Sequence, residues 1–398
     1  MSVSLGMMLS PTFHTLRVQF IKDPDRLRAN YAFLRTLASG KPLLPMVKGS
    51  GYGHGAGWVA KTLSRVPGIY GFGVASHSEA IQVRDEYKGL KPVYLFSNSY
   101  QGLPTEEALA FFLRYNIRPV LTTARDAVRL LSAVKDSRAR SRIRKIKFHI
   151  KWDTGMHRSG IPFDEVKSLL SLLCEAKGSI EGHATHLACA DQIEHPTTVI
   201  QMSRYRELTH VLRLANPEAH FHFGASAVLA QSSQYEKLGA SDLYRPGISL
   251  YGVDPSPELV LKKLKLVGNV QIRVLAVKKL NVGETVGYGA LYKNVSGAPE
   301  KIAVLGAGYA DGILRLSGTE QGYVCVKKIR RPIVGRISMD MCTIRGEGLR
   351  AGELVEWYGD RTDVWHLARA LGTIPYELMT AFRGRMLDAS TGLDHKPS

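Results

Sequence analysis

The sequence contains little cysteine and no long hydrophobic run. Its four cysteines (Cys174, Cys189, Cys325 and Cys342) are scattered over 398 residues and form no Cys-x-x-Cys pair. This spacing argues against a disulfide framework or a structural zinc site and favours a reducing, cytoplasmic environment. No apolar stretch approaches the ~20 residues that span a bilayer, and the first residues lack the basic region and cleavage site of a secretory signal. We therefore expect a cytoplasmic protein with no membrane segment.

Acidic residues are also scarce compared with basic ones. Against 53 Lys and Arg there are only 35 Asp and Glu, which gives a formal charge of +18. The densest basic segment, 125–147, combines an amphipathic helix pattern with a following strand pattern. Period-two alternation in that strand places Ile146, Phe148 and Ile150 on one face. No recognition helix, zinc finger or aromatic-basic RNA motif accompanies this charge, so solvated faces are the favoured interpretation and nucleic-acid binding is the minor one.

The order of apolar runs along the chain predicts the fold class. Hydrophobic residues make up 44% of the sequence, enough for an ordinary buried core and too many for a disordered chain. Short strand-like runs alternate with amphipathic helical patterns over the first 250 residues, with SLYGVD (249–254) as the last strand. About eight such units predict an α/β protein built on an N-terminal (β/α)8 TIM barrel.

The sequence pattern changes after the stretch Pro255-Ser256-Pro257. Strand-like runs separated by Gly, Asn and Pro turns predict a mostly β C-terminal domain. One late helix is predicted at 363–372. The predicted organisation is therefore a barrel over 12–253, followed by a β-rich domain over 254–390.

A barrel of this kind places its functional residues at the carboxyl ends of the strands. Lys48 ends the first strong apolar strand and is followed at once by the glycine-rich segment 49–57. Burial there would lower the pKa of the lysine toward nucleophilic use, and the glycines would let backbone amides approach an anion. A P-loop has its lysine after the glycines, so nucleotide binding is the weaker idea. A flexible loop with a solvent-directed lysine is the alternative from spacing alone.

Other strand ends carry polar residues with more than one interpretation. His183 and His186 have the spacing of a metal-binding pair, but no carboxylate or cysteine set accompanies them, so we expect no metal. A packed histidine at a strand end is the simpler interpretation of His186. The tripeptide Arg245-Pro246-Gly247 could equally be an ordinary turn.

The segment MVKGSGYGHGAG (46–57) resembles the lysine motif that binds pyridoxal 5'-phosphate (PLP) in alanine racemases, the fold-type III PLP enzymes. Further segments match the same family in the same order: KWDTGMHRSG (151–160), THLACAD (185–191), YRPGISLYG (244–252), GYGALY (287–292), GYADG (308–312) and RPIVGRISMDMC (331–342). The opening segment 17–35 looks like the family's first strand and helix. The resemblance implies a PLP-dependent homodimer with shared active sites, which interconverts L-alanine and D-alanine and supplies D-alanine for peptidoglycan.

The resemblance also implies roles for the reacting groups. Lys48 would hold PLP covalently and act as acid and base on one face of the substrate Cα, with Tyr288 on the opposite face. Racemisation needs two such groups, because a proton leaves one side and returns on the other. His186 would be the hydrogen-bond partner of Tyr288. Arg245 would donate to the PLP ring nitrogen and keep it unprotonated, because an arginine does not give up its proton.

The remaining family positions concern the phosphate and the substrate. The phosphate would be bound by hydroxyl groups and backbone amides at Tyr52, Ser226, Gly247, Ile248 and Tyr376. The substrate carboxylate would be bound by Arg158, which also approaches the PLP phenolic oxygen, and by the backbone amide of Met339. Tyr309 matches a residue at the substrate entrance, and Lys151 matches a lysine that is carbamylated in some members.

Two departures from the family pattern bear on substrate range. Many members have Ala-Asn where this chain has Gly49-Ser50, and Asn-Ser where it has Ala225-Ser226. Neither change removes a proton-transfer group. A broader or different amino-acid racemase on the same fold is therefore the main alternative. A non-catalytic PLP-binding barrel would lack the second domain, and the cysteine-bearing substrate motif of the PLP decarboxylases is not matched.

Overall fold

The computed structural model describes residues 16–133, 146–315, 320–382 and 387–388. The described helices are α1 (Pro24–Leu37), α2 (Ala56–Leu63), α3 (His77–Glu86), α4 (Thr105–Arg114), α5 (Ala124–Ser132), α6 (Val166–Glu175), α7 (Pro196–Ala215), α8 (Ser226–Ala230), α9 (Ser232–Leu238), α10 (Val364–Ala370) and α11 (Pro375–Thr380). Among these helices, none is long and apolar enough to cross a membrane.

The described strands are β1 (Val18–Lys22), β2 (Phe72–Val74), β3 (Val93–Leu95), β4 (Ile117–Leu121), β5 (Phe148–Asp153), β6 (Ile161–Pro162), β7 (Ile180–Ala184), β8 (His220–His222), β9 (Gly268–Leu280), β10 (Thr285–Val286), β11 (Tyr292–Lys293), β12 (Glu300–Leu305), β13 (Tyr323–Val326), β14 (Ile329–Pro332), β15 (Cys342–Arg345), β16 (Leu354–Tyr358) and β17 (Leu387–Asp388). They belong to two compact units, one spanning Asp25–Lys265 and the other formed by the described residues before and after it.

The first unit is a closed parallel barrel. Strands β2, β3, β4, β5, β7 and β8 pair side by side in that order. Two further extended segments close the ring, because Leu43 bridges both Ile69 and Tyr244, and Tyr244 also bridges Gly224. All these bridges are parallel. The predicted (β/α)8 barrel is thus confirmed.

The prediction for the last barrel strand is wrong. SLYGVD does not pair as a strand, since it begins within a 3-10 helix, Ile248–Tyr251. The closing segment lies just before it, where Arg245 donates its backbone N–H to the Gly224 carbonyl. Pro246 has no N–H with which to continue a ladder, so the strand ends there. The segment that closes the barrel is short and contains a charged residue. It therefore lacks the apolar run by which the other strands were predicted.

Strand β5 has the predicted apolar face and a second buried face. Ile146, Phe148 and Ile150 are buried as the alternation predicts. His149 and Lys151, on the other face, are buried as well. Alternate residues of a barrel strand point into the barrel interior, which accounts for this burial.

The predicted helix before β5 is confirmed only in part. Helix α5 begins after Thr123, whose side chain accepts the backbone N–H of Asp126, and its buried residues include Leu130 and Leu131. The rest of the predicted basic segment, 134–145, lies outside the described residues.

The second unit is mostly antiparallel β structure, as predicted. The long strand β9 pairs antiparallel with β1, β12 and β16. Strand β1 therefore belongs to this unit, although the predicted barrel boundary at residue 12 assigns it to the barrel. Its apolar face explains the difference, because Phe20 is buried and lies with its ring centre 5.3 Å from that of Phe382.

Two helices follow β16 in the second unit, where the sequence predicts one. Helix α10 confirms the predicted helix, and the Asp363 side chain accepts the backbone N–H of His366 at its start. Helix α11 was not predicted. It has Pro375 at its first position, where the missing N–H costs nothing.

Candidate active site

Five of the predicted site residues lie together at the carboxyl ends of the barrel strands. Burial holds the pKa of His186 well below its usual range, and the positive charges of Arg245, Lys151, Arg158 and Lys48 lower it further. The imidazole is consequently neutral, among four cationic side chains.

The backbone after Lys48 is a left-handed turn. Gly49, Ser50, Gly51 and Tyr52 all have positive φ, between 51° and 64°. Left-handed backbone costs roughly 1–2 kcal/mol for each residue with a Cβ atom, so the two glycines halve the number of strained positions. The Gly51 N–H closes the turn on the Val47 carbonyl at 2.7 Å. A defined turn, in place of a flexible loop, therefore presents the Lys48 amine.

Glu79 holds this turn, and sequence reasoning missed it. One carboxylate oxygen accepts the Gly49 N–H at 2.7 Å. The other accepts the N–H groups of Ala75 and Ser76 at 2.8 and 3.2 Å. The Ser76 hydroxyl, at the N-cap of α3, in turn accepts the backbone N–H of Glu79, which completes a capping box. The signal in the sequence was the Ser-x-x-Glu spacing, which indicates a cap but gives no hint of the contact to residue 49.

We expect Glu79→Gln to destabilise the fold and loosen the lysine turn. An amide has one acceptor oxygen, so it cannot accept N–H groups from both sides. The free energy of unfolding should fall by about 1–3 kcal/mol, the cost of losing a charged hydrogen bond. Chemical denaturation checks this. Glu107→Gln is the matched control, since Glu107 occupies the same third position of α4, whose N-cap makes no side-chain bond. An equal fall in the free energy of unfolding in the two variants would contradict a stabilising role for the contact between Glu79 and Gly49.

Positive charge is in excess at the barrel mouth. Burial lowers the pKa of Lys48, and Arg158 lowers it further. Burial and the charge of Arg245 lower the pKa of Lys151 to about 8. The nearby carboxylate of Asp153 is turned to the backbone, where it accepts N–H groups of residues 155–157 at 2.9 to 3.1 Å. The acidic side chains nearby only partly neutralise these cations, so the barrel mouth is suited to an anionic ligand.

Arg245 is buried and fixed on both sides of its guanidinium. One terminal nitrogen donates to His222 Nδ1, and the other donates to the Thr185 carbonyl at 2.7 Å. Burial lowers its pKa to about 10, so the group remains a cation at neutral pH. The predicted alternative, an ordinary turn, does not explain this buried side chain.

Hydroxyl groups and backbone amides form a small cradle beside these cations. The buried Ser226 hydroxyl accepts the Gly247 N–H at 3.0 Å. A Cβ atom on Gly247 would lie 2.3 Å from the Tyr52 hydroxyl oxygen, so a larger residue at this position would displace the hydroxyl. The Tyr52 ring stacks on Tyr251 with centres 4.9 Å apart, and buried Ile248 follows in the chain. Such donors are the kind that bind phosphate.

The remaining predicted site residues lie in the second unit. Tyr288, Tyr309 and Met339 are 72%, 44% and 53% exposed. The backbone brings two of them together, since Tyr309 donates its N–H to Ser338 and Ala310 donates to Met339, each at 3.1 Å. Half-buried Tyr376 is the second residue of α11.

Comparison with known proteins assigns the family. Residues 22–255 match the family model "Alanine racemase, N-terminal domain", and residues 267–389 match "Alanine racemase, C-terminal domain". The chain belongs to the alanine racemase family. An alanine racemase of Stutzerimonas stutzeri is 33% identical over 92% of this chain and 96% of its own length. One from Syntrophobacter fumaroxidans is also 33% identical, over 89% of this chain and 92% of its own.

Solved structures of alanine racemases share the fold. That from Streptomyces lavendulae has a TM-score of 0.81 at 27% identity and covers 93% of this chain and 96% of its own. That from Bartonella henselae, which carries covalently bound pyridoxal phosphate, has a TM-score of 0.77 at 27% identity and covers 94% and 99%.

His183 and His186, the pair with metal-binding spacing, lie in different environments in this member of the alanine racemase family. His183 is buried in the barrel and accepts the indole N–H of Trp152 at 3.2 Å. His186 lies among the cations described above. Within the described ranges, no three His, Cys, Asp or Glu side chains are placed to hold a metal ion.

Proposed function

We propose that this chain is a PLP-dependent alanine racemase that interconverts L-alanine and D-alanine. The observation that carries the proposal is the Lys48 amine, held by a fixed turn beside a cluster of cations and a hydroxyl-lined cradle. The relatives named alanine racemase and the structure with covalently bound pyridoxal phosphate support it.

The residues present fit PLP at both ends of the molecule. Tyr52, Ser226 and the amides of Gly247 and Ile248 would bind the phosphate, joined by Tyr376. Arg245 would donate to the ring nitrogen. The missing side chain at Gly247 lets the Tyr52 hydroxyl lie close to this backbone, since a Cβ atom there would be 2.3 Å from the hydroxyl oxygen. When bound, PLP supplies an electron sink that weakens the Cα–H bond of an attached amino acid.

Each remaining catalytic task falls to a side chain of the protein. The Lys48 amine, whose pKa burial lowers, would take or return a proton on one face of Cα. Tyr288 would serve the other face, with neutral His186 as its hydrogen-bond partner. Arg245 would keep its proton and leave the ring nitrogen unprotonated, which limits side reactions such as transamination. Arg158 and the Met339 amide would hold the substrate carboxylate, and Tyr309 would narrow the entrance.

We further propose a cytoplasmic homodimer with shared active sites, supplying D-alanine for peptidoglycan. Exposed aromatic and apolar side chains of the second unit, Tyr288, Leu291, Tyr309, Met339 and Met341, are suited to a surface covered by a second subunit. The four cysteines are unpaired, which is compatible with a reducing compartment.

A racemisation screen across the L-amino acids tests both reaction and substrate. The purified protein, loaded with PLP, should racemise alanine fastest. Serine and larger residues should react more slowly, because a narrow entrance favours small substrates. Comparable rates over many side chains would instead support a broad-spectrum racemase. A protein that racemises none of them would contradict the proposal.

A further inference from the structure

Three polar side chains continue inward from Arg245 through the barrel interior. Arg245 donates to Nδ1 of His222. Nε2 of His222 lies 2.9 Å from Nδ1 of His149. Nε2 of His149 lies 3.5 Å from Oε2 of Glu181, which is within ion-pair distance but longer than a hydrogen bond. Both histidines are fully buried, so this relay (Arg245, His222, His149 and Glu181) is shielded from bulk water in its middle section.

While every contact of the relay is made, its donors and acceptors fit only one arrangement of protons. Arginine has no acceptor, so His222 must accept through an unprotonated Nδ1. A neutral His222 then carries its proton on Nε2 and donates it to His149 Nδ1. A neutral His149 carries its own proton on Nε2, which faces the Glu181 carboxylate. Burial lowers the pKa of both histidines, which supports their neutral state.

Glu181 is held as a carboxylate at the far end. Tyr94 donates its hydroxyl to Glu181 at 2.8 Å, and Arg118 forms an ion pair with it. Burial raises the pKa of Glu181, but the contacts with His149 and Arg118 outweigh this effect and bring it to about 2. The carboxylate also borders a cavity of about 560 Å³ at the opposite end of its strand from His186. The anion can thus only accept, so it favours the same arrangement of protons that Arg245 requires at the other end of the relay.

The neighbouring strand leaves room for this arrangement. A Cβ atom on Gly182 would lie 2.7 to 2.9 Å from three atoms of the His149 ring. The imidazole therefore occupies space that any other residue at position 182 would fill. Residues 149 and 182 are also direct partners in the sheet.

We propose that Glu181 is a positioning residue for Arg245, acting through His149 and His222. Its charge stabilises the Nε2–H form of both imidazoles, and the resulting Nδ1 acceptor on His222 holds one side of the guanidinium, opposite the Thr185 carbonyl. The benefit to catalysis rests on the proposed function, in which Arg245 faces the ring nitrogen of PLP. The relay itself does not depend on that function.

Nitrogen-15 NMR of the histidine rings tests the relay in the unaltered protein without PLP. Long-range proton–nitrogen spectra distinguish the two neutral forms of an imidazole, and His149→Gln and His222→Gln assign the signals by their loss. We expect both histidines as Nε2–H at neutral pH. An Nδ1–H form at either position would overturn the proposal, and this result needs no variant at Glu181.

Glu181→Gln tests the role of the carboxylate. Its matched control is Glu218→Gln, because Glu218 is an exposed acid lining the same cavity. We expect E181Q to populate the Nδ1–H form of one or both histidines and E218Q to match the unaltered protein. Unchanged ring forms in E181Q would refute the role of Glu181.

Kinetics of the PLP-loaded variants supply the second readout. For E181Q we expect kcat to fall about tenfold, a loss typical of outer partners that orient a contacting side chain, with the KM for alanine nearly unchanged. Equal kcat values in E181Q and E218Q would refute the catalytic benefit. If the unaltered protein shows the predicted ring forms but does not racemise alanine, the proposed function fails while the relay stands.

Discussion

Lys48→Ala is expected to abolish both covalent PLP binding and racemisation. The variant lacks the only amine in the left-handed turn, and with it the acid–base group for one face of Cα. General acid–base catalysis alone is worth about 10²–10⁴-fold, and the loss of covalent attachment adds to this. Racemisation should therefore fall below detection.

Dialysis followed by absorbance spectroscopy separates the two effects. Unaltered protein should keep its visible cofactor band, whereas the K48A variant should lose it. Lys61→Ala is the control, because Lys61 is an exposed lysine of α2 and should change neither property. Retention of a covalent cofactor by K48A would show that another lysine binds PLP.

Tyr288→Phe is expected to retain PLP and lose racemisation by about 10²–10⁴-fold, because only the acid–base hydroxyl is removed. In deuterium oxide, the variant should still exchange the Cα proton of one enantiomer, since Lys48 serves that face. Chiral chromatography with mass spectrometry measures exchange and inversion together. Tyr292→Phe, four residues along, is the control. Inversion at the unaltered rate in Y288F would remove Tyr288 from the mechanism.

Co-expression of the K48A and Y288F chains should restore part of the racemase activity. If each site takes Lys48 from one subunit and Tyr288 from the other, a dimer of K48A with Y288F has one intact site. Random pairing makes half the dimers mixed, so co-expression should recover about a quarter of the unaltered activity. No recovery in dimers shown to be mixed would mean that both groups come from the same chain.

Most of the barrel could be predicted from apolar runs, because seven of its strands are short, hydrophobic and followed by helical patterns. The eighth could not, since the segment around Tyr244 is held by its neighbours on both sides, and its own sequence carries no strand pattern. For the same reason β1 was assigned to the wrong unit. Its alternation indicates a strand, but only the tertiary structure shows that its partner is β9, about 250 residues away.

Site residues could be predicted where a sequence motif places a reactive side chain at the end of a strand, as at Lys48. They could not be predicted where the contact joins residues that are distant in the sequence. Glu79 carries an ordinary helix-capping signal, and its bond to Gly49 spans 30 positions. His149 and His222 carry no distinct signal, because each occupies the polar position of an alternating strand pattern. A polar side chain facing a barrel interior must find a partner, but the sequence does not say which one.

The most direct test of the central claim is the conversion of pure L-alanine and pure D-alanine in separate reactions with the PLP-loaded protein. Enantiomers have equal free energies, so a racemase must bring both reactions to the same equal mixture, and the apoprotein must do so only after PLP is added. We expect that convergence. A reaction that stops at unequal enantiomer ratios, consumes total alanine, or leaves both enantiomers unchanged would contradict the account.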